Sequence, residues 1–283
     1  MKSTTNYWDN IERVKDFLNT ADAVLVGIGA GMSTAAGLTY SGERFHKYFD
    51  DFHKKYGITD MYSGGFYSFE SMEEYWAWWS RHIYYNRYDI SVGEPYIRLM
   101  ELLQNKNYFV ITTNVDHQMQ LAGVDKSRFY YMQGDYGLWQ CSEPCHQKTY
   151  DNEEQVRRMV KEQKDMKIPT ELIPHCPRCG ELMTMNLRID GTFVQDEGWY
   201  AAQNRYADFI ERYKDKKLIM LELGVGYNTP MIIKYPFMRM AHDNIDALYV
   251  PINIEDQPIP FEIHKNTVSF NNDIQKVMND LLS

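Results

Sequence analysis

Four cysteines stand in two close pairs, Cys141-x-x-x-Cys145 and Cys176-x-x-Cys179, with 30 residues between them. Two such knuckles can place four thiolates tetrahedrally around one zinc ion. Two disulfides or four free thiols are the alternatives; a reducing compartment disfavours the first, and the pairing itself the second. His146 and His175 flank the pairs and could replace one ligand. Four sulfur ligands leave no open coordination position, so the spacing predicts a structural zinc. Glycine supplies a second signal, because Ala23-Val24-Leu25-Val26 runs into Gly27-Ile28-Gly29-Ala30-Gly31-Met32-Ser33. Strand, glycine turn and helix open a nucleotide-binding βα unit, whose first free amides suit a diphosphate. The third glycine of the dinucleotide fingerprint is missing, and a tight turn alone would also use these residues. Asn114 and Asp116 follow a β-branched run at 108–113. Each reads either as a ligand contact or as a helix-start residue.

The elements that must position these groups alternate along the chain. Trp8, Ile11, Val14 and Leu18 recur at helical spacing over 7–20, ahead of a short apolar strand at 23–26. Further strand-like runs lie at 108–113, 217–224 and 247–252, each beside a plausible helix. A closing amphipathic helix over 271–282 directs Ile274, Val277, Met278, Leu281 and Leu282 inward. The fold class is α/β: a Rossmann-like doubly wound parallel sheet with a smaller zinc-binding module and a helical insertion. The nucleotide-binding domain takes 1–43, 101–135 and 201–283; the insertion takes 44–100 and the zinc module 136–200. Residues 40–96 hold 18 of the 41 aromatics. Trp76, Trp78 and Trp79 among them read as the insertion's core and not as a substrate cage. The charged run 151–167 reads as an exposed helix or loop.

Composition limits the partners. The 283 residues carry 30 Lys and Arg against 39 Asp and Glu, a net charge of −9, with 44% hydrophobic residues. That is globular composition, and it argues against a broad basic nucleic-acid surface. No apolar run reaches the ~18 residues of a membrane span, and the N-terminus lacks the apolar core of a secretory signal. A cytoplasmic protein without nucleic-acid or membrane partners is expected.

Read together and in order, the motifs resemble those of the sirtuin family over roughly residues 20–283. Gly29-Ala30-Gly31-Met32-Ser33 with Gly37 is similar to its Gly-Ala-Gly-x-Ser opening, and Thr112-Thr113-Asn114-Val115-Asp116 with Ala122-Gly123 to its Thr-Gln-Asn-Val/Ile-Asp block. Gln133-Gly134 stands where its His-Gly would, followed by the cysteines. Gly224, Asn228-Thr229-Pro230 and Ile252-Asn253-Ile254-Glu255 resemble its later nucleotide-contacting segments. Three departures stand out. Thr39-Tyr40-Ser41-Gly42, with Glu43-Arg44-Phe45 beyond it, replaces the usual Pro-Asp-Phe-Arg; Thr113 replaces a Gln; and Gln133 replaces the catalytic His.

The resemblance implies NAD as co-substrate, one structural zinc on Cys141, Cys145, Cys176 and Cys179, and a cofactor site carried over residue by residue. It places Gly29, Ala30, Gly31, Ser33, Thr39, Tyr40, Arg44, Asn114, Asp116, Gln133, Gly224, Asn228 and Asn253 at NAD. Asn114 would hold the nicotinamide-ribose hydroxyls, Gln133 would orient that ribose, and Asp135 would assist an acceptor nucleophile; these three are the catalytic candidates. Deacylation needs a general base in its second stage, and a Gln amide accepts no proton near pH 7. Losing such assistance costs ~10²–10⁴ in rate. ADP-ribosyl transfer needs only the first displacement. The pattern is most similar to the macrodomain-linked, class M sirtuins, which implies a protein mono-ADP-ribosyltransferase. A lipoylated glycine-cleavage-H-like carrier is then a candidate acceptor, and a macrodomain protein acts in the same pathway. NAD glycohydrolase, non-catalytic NAD or ADP-ribose sensor and weak lysine deacylase are the alternatives.

Overall fold

The computed structural model describes residues 4–227 and 229–283, so Asn228, one expected NAD contact, lies outside the described residues. Among them the strands are β1 (Ala23–Ile28), β2 (Tyr108–Thr112), β3 (Phe129–Tyr131), β4 (Gly134–Cys141), β5 (Tyr150–Asp151), β6 (Met183–Leu187), β7 (Leu218–Leu223), β8 (Leu248–Asn253) and β9 (Phe270–Asn271). Six of them form one parallel sheet in the order β3-β2-β1-β7-β8-β9. Every residue of β1, β2 and β7 is buried, which is why these strands read as unbroken apolar runs. The chain enters at β1, winds outward through β2 and β3, then returns to the other side of β1 as β7. A ligand crevice opens at such a reversal, beyond the carboxyl ends of the strands.

Helices cover both faces. Thr4–Thr20, Glu94–Leu102 and Ile274–Leu282 pack on one face, through Ile11, Val14, Leu99, Val277 and Met278 among others. Glu197–Tyr213 and Lys234–Asp243 cover the other, through Trp199, Phe209 and Phe237. Asp196 and Asp273 start two of these helices by accepting from the Trp199 and Lys276 amides, at 2.8 Å each. Two apolar helix positions, of which Leu282 was expected inward, face solvent. Trp8 is 50% exposed, edge-on to Tyr7, and Leu282 is 38% exposed in the last turn of the chain.

The second lobe differs from the sequence reading in its boundaries. The helices Glu43–Tyr56 and Met72–Ile83 do not form a body of their own. Phe45, Phe49, Phe52, Trp76, Trp78 and Trp79 share one core with Trp139, Cys141, Cys176, Met183 and Met185 of the cysteine module. Aromatic rings on one side and a three-stranded sheet, β5-β4-β6, on the other are each too thin to bury an apolar face alone. The charged run also joins in: Glu153–Glu162 is a helix that turns Val156 and Met159 into this core. The Glu94–Leu102 helix, placed in the insertion by sequence, belongs to the main sheet instead, where it packs beside the closing helix. Among the described residues, no helix is long and apolar enough to cross a membrane.

One charged pair sits deep in the main domain. Lys234 and Glu222 are fully buried and bonded to each other; Lys234 Nζ also donates to Gln257 at 2.9 Å, and Tyr249 donates to Glu222 at 2.6 Å. Breaking such a pair from one side strands a buried charge. Lys234→Ala is therefore expected to lower unfolding free energy by about 3–5 kcal/mol, and Lys234→Met with Glu222→Leu together by much less. Denaturant titration of the two variants checks the order.

Candidate active site

The glycine turn and the loop after β7 meet backbone to backbone at the reversal point. The Gly31 amide donates to Gly224 O at 2.9 Å, and the Gly29 amide to Leu223 O at 2.9 Å. A Cβ on Gly31 would lie 2.7 Å from Gly224 Cα, and Gly224 holds φ +64. These glycines are thus required first by the close approach of two strand ends. The helix that follows spans only Ala30–Ala35, and the Met32 amide already donates to Gly29 O. It offers fewer free amides to a diphosphate than the sequence suggested.

Above this seam lies a cleft of about 730 Å³, lined by Gly29, Ala30, Gly31, Asn114, Gln133, Gly224 and Asn253. Those seven expected cofactor residues therefore come together. Thr113 and Glu255, which the motifs contain, join them, as do Val225 and Asp273, which sequence reasoning did not single out. A second chamber of about 430 Å³ adjoins the first, because Tyr62, Thr113, Gln133 and Thr229 line both. Tyr40 lies in this second chamber, with Trp79, His82, Val115, Tyr136 and Arg188.

Asn114 is held from behind. Its Nδ2 lies 2.9 Å from Gly29 O, 2.9 Å from Ser33 Oγ and 3.2 Å from the Tyr96 hydroxyl, while its amide donates to Thr112 Oγ1. The carboxamide oxygen takes no part in this network among the described residues. It suits a ribose hydroxyl donor. Ser33 in turn donates to Asp116, whose carboxylate also accepts from the Gln118 amide at 3.1 Å. Burial pushes the Asp116 carboxyl up, against the pull of Ser33. Ser33 and Asp116, expected at the cofactor, form the layer that fixes Asn114.

Two further expectations are corrected. Asp135 is turned away from Gln133 into a separate cluster, accepting from Arg87 at 2.8 Å, the Gly137 amide at 2.7 Å, His117 at 2.7 Å and Gln120 at 3.3 Å. Burial pushes its carboxyl up, yet His117 and Arg87 outweigh that and hold it below the usual range. A carboxylate so fully engaged has no lone pair left to assist an acceptor. Arg44, expected at NAD, is spent on Thr39 O, Asn86 Oδ1 and Tyr85 O, at 3.0, 2.8 and 2.5 Å. Thr39 presents its carbonyl to that guanidinium.

His82 is the one histidine lining either chamber among the described residues. It is buried, and burial with the field of Arg44 lowers its pKa to about 3. Unfolding restores an ordinary imidazole near 6.5, so the unfolded chain binds an extra proton below that pH. The stability this neutral histidine contributes is full above about pH 6.5 and drains away as pH falls toward 3. His82→Leu is expected to flatten the acid limb of a melting-temperature profile over that window.

The cysteines converge as their spacing predicts. Their four Sγ atoms lie within 4.8 Å of one another, with Cys141–Cys179 at 3.5 Å and Cys145–Cys176 at 3.7 Å. Four thiolates at Zn–S bonds of ~2.3 Å stand ~3.8 Å apart, so the set fits zinc. Neither flanking histidine joins the four-sulfur cluster: His146 Nδ1 lies 3.0 Å from Cys145 Sγ while its Nε2 bonds Tyr150, and His175 Nδ1 bonds Gly180 O. Cys141 and Cys176 are also part of the lobe core, so a metal held by the four sulfurs would tie that core together.

Comparison with known proteins bears on the same residues. The Sir2 family model matches residues 29–209, from the glycine turn through the cysteines. The chain belongs to the Sir2 family. Among Sir2 relatives it is similar to a protein ADP-ribosyltransferase of Staphylococcus aureus, 40% identical over 272 residues, covering 96% of this chain and 86% of that protein. It is also similar to a probable bifunctional ADP-ribose hydrolase/ADP-ribosyltransferase of Fusarium oxysporum f. sp. cubense. That match is 32% identical and covers 80% of this chain but only 39% of the longer fungal protein. The fold is that of solved Sir2 structures. One, Sir2Tm bound to a propionylated peptide, aligns at TM-score 0.62 and 18% identity over 96% of this chain and 97% of that one. Another, a Sir2–p53 peptide–NAD+ complex, aligns at TM-score 0.58 and 19% identity over the same shares.

Proposed function

We propose that this Sir2-family chain transfers ADP-ribose from NAD to a protein acceptor. The observation that carries the reading is the junction of the two chambers, where Gln133 stands and, among the described residues, no usable base does. A Gln amide takes no proton, and His82, with a pKa near 3, is too weak a base at neutral pH. Deacylation through a ribose hydroxyl therefore lacks its proton acceptor. In transfer, the bond from ribose C1′ to nicotinamide breaks and a bond from the acceptor nucleophile forms; the nucleophile's proton leaves to solvent. NAD supplies the activated C1′ and a neutral leaving group. The chain's part is positioning and electrostatics. Asn114 accepts from the nicotinamide-ribose hydroxyls, Gln133 orients that ribose where the chambers meet, and Gly224 and Asn253 flank the other half of the dinucleotide.

The 40%-identical relative supports transferase over deacylase chemistry, since its name is that of a protein ADP-ribosyltransferase. The fungal relative pairs an ADP-ribose hydrolase with an ADP-ribosyltransferase in its name, which supports ADP-ribose as the group transferred; a macrodomain protein in the same pathway rests on the class M pattern of Gln133 alone. The acceptor we favour is a lipoylated carrier of the glycine-cleavage-H type, with the class M pattern of Gln133 as its basis. We place the reaction in the cytoplasm, where the four thiols stay reduced for zinc. A direct test offers the purified protein NAD with an acetyl-lysine peptide. Intact peptide and no acyl-ADP-ribose are expected, and catalytic deacetylation overturns the reading.

A further inference from the structure

The segment that replaces Pro-Asp-Phe-Arg is not a free loop. Gly37 and Gly42, at φ +81 and +69, bound it, and it is tied down at three points between them. Arg44 Nη1 donates to Thr39 O at 3.0 Å, the Met61 amide donates to Tyr40 O at 2.8 Å, and the Tyr40 hydroxyl lies 2.7 Å from that of Tyr136. The Tyr136 hydroxyl then meets His82 Nε2 at 2.8 Å. Asn86 donates to His82 O at 2.8 Å and accepts from Arg44 Nη1 at 2.8 Å. The path Thr39–Arg44–Asn86–His82–Tyr136–Tyr40 is closed, and it crosses three separate stretches of chain. Asn86 and the Tyr85 carbonyl that also holds Arg44 sit on the π-helical turn Tyr84–Tyr88, a widened turn of the kind found where helices serve sites.

The circuit is built from groups that keep one protonation state. Burial pushes the Tyr40 hydroxyl up to about 12 and the imidazole down to about 3. Both are neutral across the physiological range, so the bonds between them do not titrate there. Tyr40, Tyr136 and His82 all line the second chamber, and Gln133 at its junction with the cleft lies three residues before Tyr136 on the chain.

We infer that Tyr136 and His82 are positioning residues, which hold the 39–42 segment in its working place before NAD arrives. The gain is entropic. A segment ordered in advance spares the cofactor the cost of ordering it, so binding is tighter with no added contact. For its catalytic readout this inference rests on the transferase reading; its binding and exchange readouts do not.

The test compares wild type with Tyr136→Phe, which keeps the ring and loses both hydroxyl bonds. Hydrogen exchange at the Met61 amide, bonded to Tyr40 O, reports on the segment directly. In wild type without NAD it is expected to be protected already, and NAD adds little; in Tyr136→Phe it exchanges faster until NAD is added. NAD affinity by calorimetry should fall about tenfold, from the loss of net hydrogen bonding. The rise appears in KM for NAD, with kcat nearly unchanged. Tyr136→Phe with His82→Leu should bind NAD no worse than Tyr136→Phe alone, since one circuit can be broken only once. Protection that appears in wild type only with NAD overturns the inference, as do unchanged affinity or additive losses. If the variants do not fold, the wild-type exchange comparison still decides. Absent transfer with intact exchange and affinity effects contradicts the functional reading and leaves this one standing.

Discussion

Asn114→Ala lowers kcat/KM for ADP-ribosyl transfer by about 10²- to 10³-fold, the cost of losing one preorganised polar group at a reacting centre. The side chain is gripped by Gly29 O, Ser33 Oγ and the Tyr96 hydroxyl, so its oxygen stands ready without reorganisation. The same substitution leaves the buried Tyr96 hydroxyl with one partner fewer, and about 1–3 kcal/mol of stability should go with it. Ser33→Ala separates the two effects. It keeps Asn114 but loosens its seat and leaves the buried Asp116 carboxylate with one partner fewer, so it should cost stability as much and activity less. Steady-state kinetics alongside thermal melts checks both. Equal rates for Asn114→Ala and wild type would remove Asn114 from the site.

The second large effect is metal removal. Structural zinc sites contribute on the order of 10 kcal/mol to folding, more than a whole small lobe can spare. Here the site is fused to the aromatic core: Cys141 and Cys176 pack with Trp76 and Trp139, whose rings stand 5.0 Å apart, edge to face. Chelation or Cys141→Ser should therefore unfold the cysteine module and the helices Glu43–Tyr56 and Met72–Ile83 together. The expected signature is red-shifted tryptophan fluorescence from Trp76, Trp78 and Trp79, while the parallel sheet keeps its exchange protection. Activity is lost because the wall of the second chamber, Met61, Trp79, His82, Tyr136 and Leu187 among it, goes with the lobe. Metal analysis of folded, reduced protein should find one zinc per chain; none, with unchanged fluorescence after chelation, contradicts the assignment.

What the sequence disclosed follows the range of the interactions involved. The cysteine pairs, the glycine turn and the 112–116 block are local patterns, and each landed where its spacing required. The buried strands were readable because burial on both faces leaves unbroken apolar runs. β3 and β9 were not, since three and two residues at the sheet edges carry no period. Partners distant in sequence were also hidden. Asp135 looked like a helper two residues from Gln133, but Arg87, 48 residues away, claims its carboxylate. Lys234 reads as an ordinary helix lysine until Glu222 and Gln257 are found around it. The shared core of insertion and cysteine module was equally invisible, because neither half signals that its apolar face is incomplete alone. That Gln133 stands where the sirtuin resemblance puts a histidine was plain in the sequence; that His82 comes into the second chamber, too acidic to serve as a base at neutral pH, was not.

Transfer to a protein is measured by incubating the enzyme with NAD labelled in its adenylate phosphate and with extract of the source cells. Transfer predicts label covalently held on a discrete protein, nicotinamide released in equal amount, and neither product with Asn114→Ala. Rapid conversion of the label to free ADP-ribose in the absence of any protein acceptor would contradict it.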